Sequence, residues 1–335
     1  MTIYTWHSSV FHKLSQHSGA LPHALLFKGP PGIGKRDFTK ALAKGMLCEK
    51  TVSPLRACGS CAACHWMDSE SHPDYRLLQP EAVDAGSEDE PSDKKKKLNI
   101  SIAKVRSLAE FINISAHRSG AKVVVIQPAE AMNVNAANAL LKSLEEPPPN
   151  TYFFLVSDRP QLLPATIRSR CQQLALPPPT MQEATAWLLA SGVSAPDLAL
   201  AQAGGAPLLA MELDNSDYWS ARKLFLDGLS SREFDALALA ERVATHPVPQ
   251  IINWLQRWSY DLASLSFGQR LRYNPDHKDG LNYALRRMKP LEILRFHREL
   301  VRFQRIVNHP LNPRLLIEDM LLRYEQLIQA SEPAN

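Results

Sequence analysis

The segment Gly29-Pro30-Pro31-Gly32-Ile33-Gly34-Lys35-Arg36 matches the phosphate-loop pattern G-x-x-x-x-G-K-[ST] at every position except the last. Gly29, Gly32 and Gly34 allow backbone N–H groups to approach phosphates, and Lys35 can reach their outer charge. The final hydroxyl of the pattern would hold Mg²⁺, and Arg36 has none. The same residues therefore commit the surrounding chain to an ATPase fold and argue against ATPase chemistry.

The second half of such a machinery is also altered. Lys122-Val123-Val124-Val125-Ile126 is β-branched and uninterrupted, as expected of a buried parallel strand. In a working site the strand would end in two acids, one supporting Mg²⁺ through water and one polarising the attacking water. Here it ends in Gln127-Pro128. Gln127 brings no negative charge to a metal and Pro128 offers no acid. Glu130 comes too late, on what should be a new helix that points it elsewhere. Positions 36, 127 and 128 together predict a chain that does not hydrolyse ATP, because phosphoryl transfer relies on the metal to neutralise developing charge. Nucleotide binding without turnover stays open, since Lys35 and the glycines survive.

Cys58, Cys61 and Cys64 form a C-x-x-C-x-x-C run, with Cys48 ten residues upstream. Four thiolates at this spacing suit tetrahedral Zn²⁺ in a closed structural site. The tight pairs would fold as a knuckle, with Cys48 closing the site from the end of a preceding helix. A redox C-x-x-C is the competing reading; the third and fourth cysteines favour metal. A disulfide framework does not fit the cytoplasmic location expected of this chain. His65 and His72 are spare candidates, and Cys171 should pack as a small hydrophobe.

At 335 residues, two or three domains are expected. A composition 45% hydrophobic and 21% charged is that of an ordinary globular protein. No apolar run approaches a membrane span, and the N-terminus lacks a charged-then-apolar signal, so no membrane partner is expected. The net charge of +4 is weak support for a nucleic-acid partner.

Strands are predicted at 24–27, 75–78, 122–126, 152–156 and 173–176, with helices at 7–18, 36–47, 101–115 and 133–144. Val134, Ala137, Leu140, Leu141 and Leu144 should form the buried face of the last. Alternation of this kind builds a parallel sheet flanked by helices. The stretch 81–97 is acidic, then basic, and almost devoid of apolar residues; a solvated linker is expected, although Lys94–Lys97 could touch DNA or an acidic partner. After Pro177-Pro178-Pro179 no long strand recurs. The expected organisation is an α/β module over 1–176, a small helical lid over 177–215 and an all-α domain over 216–335. Trp254, Trp258, Tyr260 and Phe267 should lie in its core or at a subunit interface.

Four elements now stand in one order: the phosphate loop, the four cysteines, the block Asn138-Ala139-Leu140-Leu141-Lys142-Ser143-Leu144-Glu145-Glu146-Pro147-Pro148, and Ile167-Arg168-Ser169-Arg170-Cys171. In this the whole chain resembles bacterial AAA+ clamp-loader subunits of DNA polymerase III, and within them the delta-prime branch more than the gamma/tau motors. The resemblance implies an AAA+ P-loop module with a lid and an oligomerising helical collar. It further implies a five-membered ring with gamma/tau motor and delta subunits, in which ATP drives loading of a sliding clamp onto primed DNA. The chain would then be part of the polymerase holoenzyme without being an autonomous ATPase. The lid stretch 203–209 lacks the arginine with which motors sense the γ-phosphate, yet Ser169-Arg170-Cys171 is intact. The resemblance thus makes Arg170, in its S-R-C setting with Ser169, an arginine finger donated to a neighbour's ATP site. Read alone, Arg170 could equally be half of a structural ion pair. Two further readings stay open: an active motor with unusual substitutions, and a zinc-dependent DNA-binding module with only Arg56 and His65 as phosphate contacts.

Overall fold

A computed structural model describes residues 3–80, 99–114, 116, 120–306 and 312–329. The charged stretch 81–97 lies outside them. The described residues divide near position 183 into two compact units.

The first unit holds five strands: β1 (Ala24–Lys28), β2 (Tyr75–Leu78), β3 (Lys122–Ile126), β4 (Thr151–Ser157) and β5 (Gln172–Ala175). They form one parallel sheet in the order β2-β3-β4-β1-β5. Alternate residues of the central strands enter two different cores, which is why these strands are apolar without interruption. Leu26, Val124, Ile126, Phe153 and Leu155 pack beneath α4 (Ile102–Asn113) and α5 (Val134–Glu145). Leu25, Phe27, Val123, Val125 and Phe154 pack on the other face against Leu14 of α1 (Ser8–Gln16) and Phe38 and Leu42 of α2 (Lys35–Leu47). Lys122 is tolerated in fully buried β3 because its ammonium donates to the Phe111 carbonyl at 2.5 Å and to that of Ile114, and sits 4.7 Å from the Phe111 ring centre.

Two local expectations need correction. Val134 is exposed, and Ala136 takes its place on the buried face of α5. Asn133 caps this helix by accepting from the Ala136 N–H at 2.7 Å, and that start leaves the first-turn valine outside the buried stripe. The cysteine segment is also more than a knuckle, since it opens the short helix α3 (Ala62–Asp68).

The second unit begins with α7 (Met181–Ala190), which crosses the division, and continues with α8 (Pro196–Gln202) and α9 (Pro207–Glu212); Leu188, Val193, Leu200 and Ala210 form their small core. The remaining helices, α10 (Ser216–Leu229), α11 (Ala236–Val243), α12 (Val248–Ser266), α13 (Lys278–Leu285), α14 (Pro290–Ile306) and α15 (Pro313–Gln329), share one large core. Trp254 and Trp258 lie within it, and the Trp258 indole N–H donates to Tyr324 Oη at 2.9 Å. Tyr260 and Phe267 stand outside this core on the exposed surface, because Phe267 follows the last turn of α12 and Tyr260 lies outside its buried stripe. The loop after α12 is tied down by buried Asp261, whose carboxyl accepts from the backbone N–H groups of Arg272 (2.8 Å), Tyr273 (3.1 Å) and Asn274 (2.7 Å). Among the described residues no helix is long and apolar enough to cross a membrane.

Candidate functional site

The phosphate loop leaves the end of β1 and enters α2, as its glycines require. Gly34 has φ of +89°, and a β-carbon there would lie 2.3 Å from the Tyr4 ring, so both backbone and space demand glycine. The N-terminal segment closes over this loop. Tyr4 and Trp6 stack at 4.7 Å, the Trp6 indole donates to the Ile33 carbonyl at 2.9 Å, and the Tyr4 hydroxyl donates to Asp37 Oδ2 at 3.0 Å.

Lys35 is buried, and its ammonium is fully engaged inside the chain. It donates to the Gly29 carbonyl at 2.9 Å and to the Pro30 carbonyl, and pairs with Asp158 Oδ1 at 2.5 Å. An ammonium has three N–H donors, so a phosphate could be gripped here only by displacing one of these partners. Arg36 turns away toward Glu70, 3.9 Å distant, and the next hydroxyl on the helix, Thr39, donates to the Lys35 carbonyl at 2.8 Å. Gln127 is present at the end of β3 with its side-chain oxygen buried. Glu130 lies on a short 3-10 turn (Ala129–Ala131), where Oε1 accepts from the backbone N–H groups of Asp158 (3.0 Å) and Arg159 (3.1 Å). It braces the loop after β4.

His7 is buried beside this loop, edge-on to Phe38. Burial pushes its pKa down to about 4, with the Pro177 carbonyl opposing and Lys35 adding to the effect. The unfolded chain, with histidine near 6.5, therefore takes up a proton that the folded chain refuses as pH falls. Stability contributed by neutral His7 is full above about pH 6.5 and declines toward pH 4, by roughly 3 kcal/mol across that window. The urea midpoint should fall between pH 7 and pH 5 in the wild type, and fall less in His7→Gln; equal slopes would rule this out.

The four cysteines converge. Cys48 follows the last residue of α2, Cys61 stands before α3, and Cys64 lies in its first turn. All four sulfurs lie within 4.8 Å of one another, with Cys48–Cys61 at 3.8 Å and Cys58–Cys64 at 3.9 Å. These are not disulfide distances, and none of the four is in a disulfide. A tetrahedron with sulfurs about 2.3 Å from a central ion has edges of about 3.8 Å, so the set fits a four-coordinate metal. The Ser60 N–H and hydroxyl hold the Cys58 thiol down at about 5, whereas burial pushes Cys64 up to about 12, so a metal entering here must displace protons. The module is pressed onto α2: a β-carbon at Gly45 would come within 1.8 Å of the Leu55 carbonyl oxygen. His65 is exposed, and His72 is buried with Nδ1 accepting from the Asp74 N–H; neither belongs to the cluster. Arg56 is exposed on the loop. Cys171 packs in the sheet core, where burial pushes its thiol up to about 11.

Ser169 and Arg170 end α6 (Ala165–Arg170), far in sequence from the loop. The Ser169 hydroxyl donates to the Thr166 carbonyl at 3.1 Å. Arg170 Nε donates to Glu145 Oε1 at 2.6 Å, Nη2 pairs with the same carboxylate, and Nη1 donates to the Thr166 carbonyl at 3.0 Å. Asp158, His7 and Tyr4 escaped the sequence reading, and Glu145 entered it only as a member of the block 138–148, without its pairing to Arg170. Asp158 could have been found only from the sheet order, which sets the end of β4 beside the end of β1.

A parallel sheet of this order, a phosphate loop after its β1 strand and an appended helical region define an AAA+ P-loop module. The profile described as "DNA polymerase III, delta subunit" matches residues 7–180, and that described as "DNA polymerase III, delta subunit, C terminal" matches residues 216–326. DNA polymerase III subunit delta' of Pseudomonas aeruginosa is 36% identical over 293 residues, covering 84% of this chain and 81% of its own. The same subunit of Escherichia coli is 32% identical over 338 residues, covering 98% and 97%. The chain belongs to the DNA polymerase III delta' family. A gamma subunit-related protein of Thermotoga maritima is similar in structure, with a TM-score of 0.49 at 16% identity, over 95% of this chain and 99% of that one.

Proposed function

We propose that this chain is a cytoplasmic clamp-loader subunit that does not hydrolyse ATP and that supplies Arg170 to the ATP site of a neighbour. Its partners would be gamma/tau motor and delta subunits in a five-membered ring, acting on the sliding clamp and primed DNA. The observation that carries the first half is Lys35: its three donors are spent on Gly29, Pro30 and Asp158, while Arg36 faces Glu70. Gly29, Gly32 and Gly34 remain as a loop that shapes the fold. Residues 177–215 would serve as the lid and 216–335 as the collar. The cysteine cluster would hold one structural Zn²⁺, since four thiolates leave no position for a reacting water.

Purified alone, the chain should show no ATP turnover above a Lys35→Ala control. Turnover abolished by Lys35→Ala would overturn the reading; turnover indifferent to it would trace to a contaminant.

A further inference from the structure

We infer that Glu145 is the positioning residue for Arg170, holding its guanidinium so that the end opposite the stem is presented to a phosphate on the neighbouring subunit. The inference rests on the finger role proposed above. A guanidinium carries five N–H donors in one plane. Glu145 takes Nε–H and one N–H of Nη2, and the Thr166 carbonyl takes one N–H of Nη1. In these contacts one N–H on each terminal nitrogen is left unengaged, and that pair suits two oxygens of one phosphate. The side chain is 34% exposed, so a phosphate can reach it.

The supports are placed to act as a bracket. Glu145 is the last residue of α5, packed on the sheet by Leu140 and Leu144. Thr166 and Arg170 share one face of α6, four residues apart, and α6 is anchored by Ile167 in the same core. An arginine stem with several rotatable bonds is thereby held from two rigid elements. Holding a charged group in place before reaction raises the rate without changing how substrate binds.

The test uses the ring reconstituted with its motor and delta-type partners, with clamp and primed DNA saturating, and follows steady-state ATP hydrolysis. Glu145→Ala should lower kcat about three- to fivefold, the range open to a partly exposed ion pair made through one carboxylate oxygen, with the KM for ATP unchanged. Glu145→Gln keeps shape and an oxygen acceptor and should recover part of the loss. In an Arg170→Ala background, Glu145→Ala should cost nothing further, because there is no guanidinium left to position. Wild-type kcat in Glu145→Ala, or an equal loss in the presence and absence of Arg170, would overturn the positioning role while leaving the finger in place. A ring unaffected by Arg170→Ala would remove the finger and this inference with it.

Discussion

Replacing Cys61 with serine is expected to empty the cysteine cluster and loosen the segment from Cys48 to Asp68. With sulfur separations of 3.8 and 3.9 Å among these four cysteines, an ion held by them would find no alternative donors of equal softness, since His65 and His72 stand outside the cluster. Structural zinc contributes about 10–16 kcal/mol to folding in small peptides. Here part of that is retained by contacts such as Leu55 against Gly45, so a smaller loss is expected, with a thermal midpoint lower by several degrees or more. Metal analysis of wild-type protein should find one zinc per chain, and limited proteolysis should cut the variant within the cysteine segment first. Full zinc occupancy in Cys61→Ser, or the same midpoint and cleavage pattern as wild type, would refute the structural role. So would wild-type protein purified without zinc.

Arg170→Ala should leave the folded chain and the assembled ring intact, yet slow clamp-stimulated and DNA-stimulated ATP hydrolysis and clamp loading. The side chain lies at the end of α6 and is partly exposed, so its loss opens no cavity in the sheet core. Fingers supplied in trans are worth about 10³–10⁵ in rate in well-studied GTPases. The loss averaged over a whole ring should be smaller, since other sites would keep their own arginines. Arg170→Lys should restore little, because an ammonium cannot replace a planar fork bridging two oxygens. Normal loading by Arg170→Ala would leave the chain a scaffold and return Arg170 to the structural ion pair with Glu145.

Much of the first unit is legible in the sequence. β2 and β3 both fall at the predicted residues; for β3 the reason is plain, because an uninterrupted β-branched run has few alternatives to a buried strand. The cysteine spacing likewise predicted convergence, since short C-x-x-C intervals restrict where thiolates can point. Helix starts turn on single capping contacts. Asn133 sets the start of α5 through one hydrogen bond, and that decided whether Val134 or Ala136 faces the core.

The missing chemistry at Arg36, Gln127 and Pro128 is a property of composition at fixed motif positions, and the sequence by itself determined it: no fold can give those side chains a hydroxyl or a carboxylate. What fills the space is tertiary. Asp158 meets Lys35 because parallel pairing sets β4 beside β1, across more than a hundred residues of chain, and local periodicity carries no information about such a meeting. The same holds for Arg170 and Glu145, which lie on separate helices packed against one sheet. Motif and spacing specify which groups a chain can offer. Only the closed sheet and its packed helices decide which charges meet, because those distances depend on register and packing summed over the whole unit.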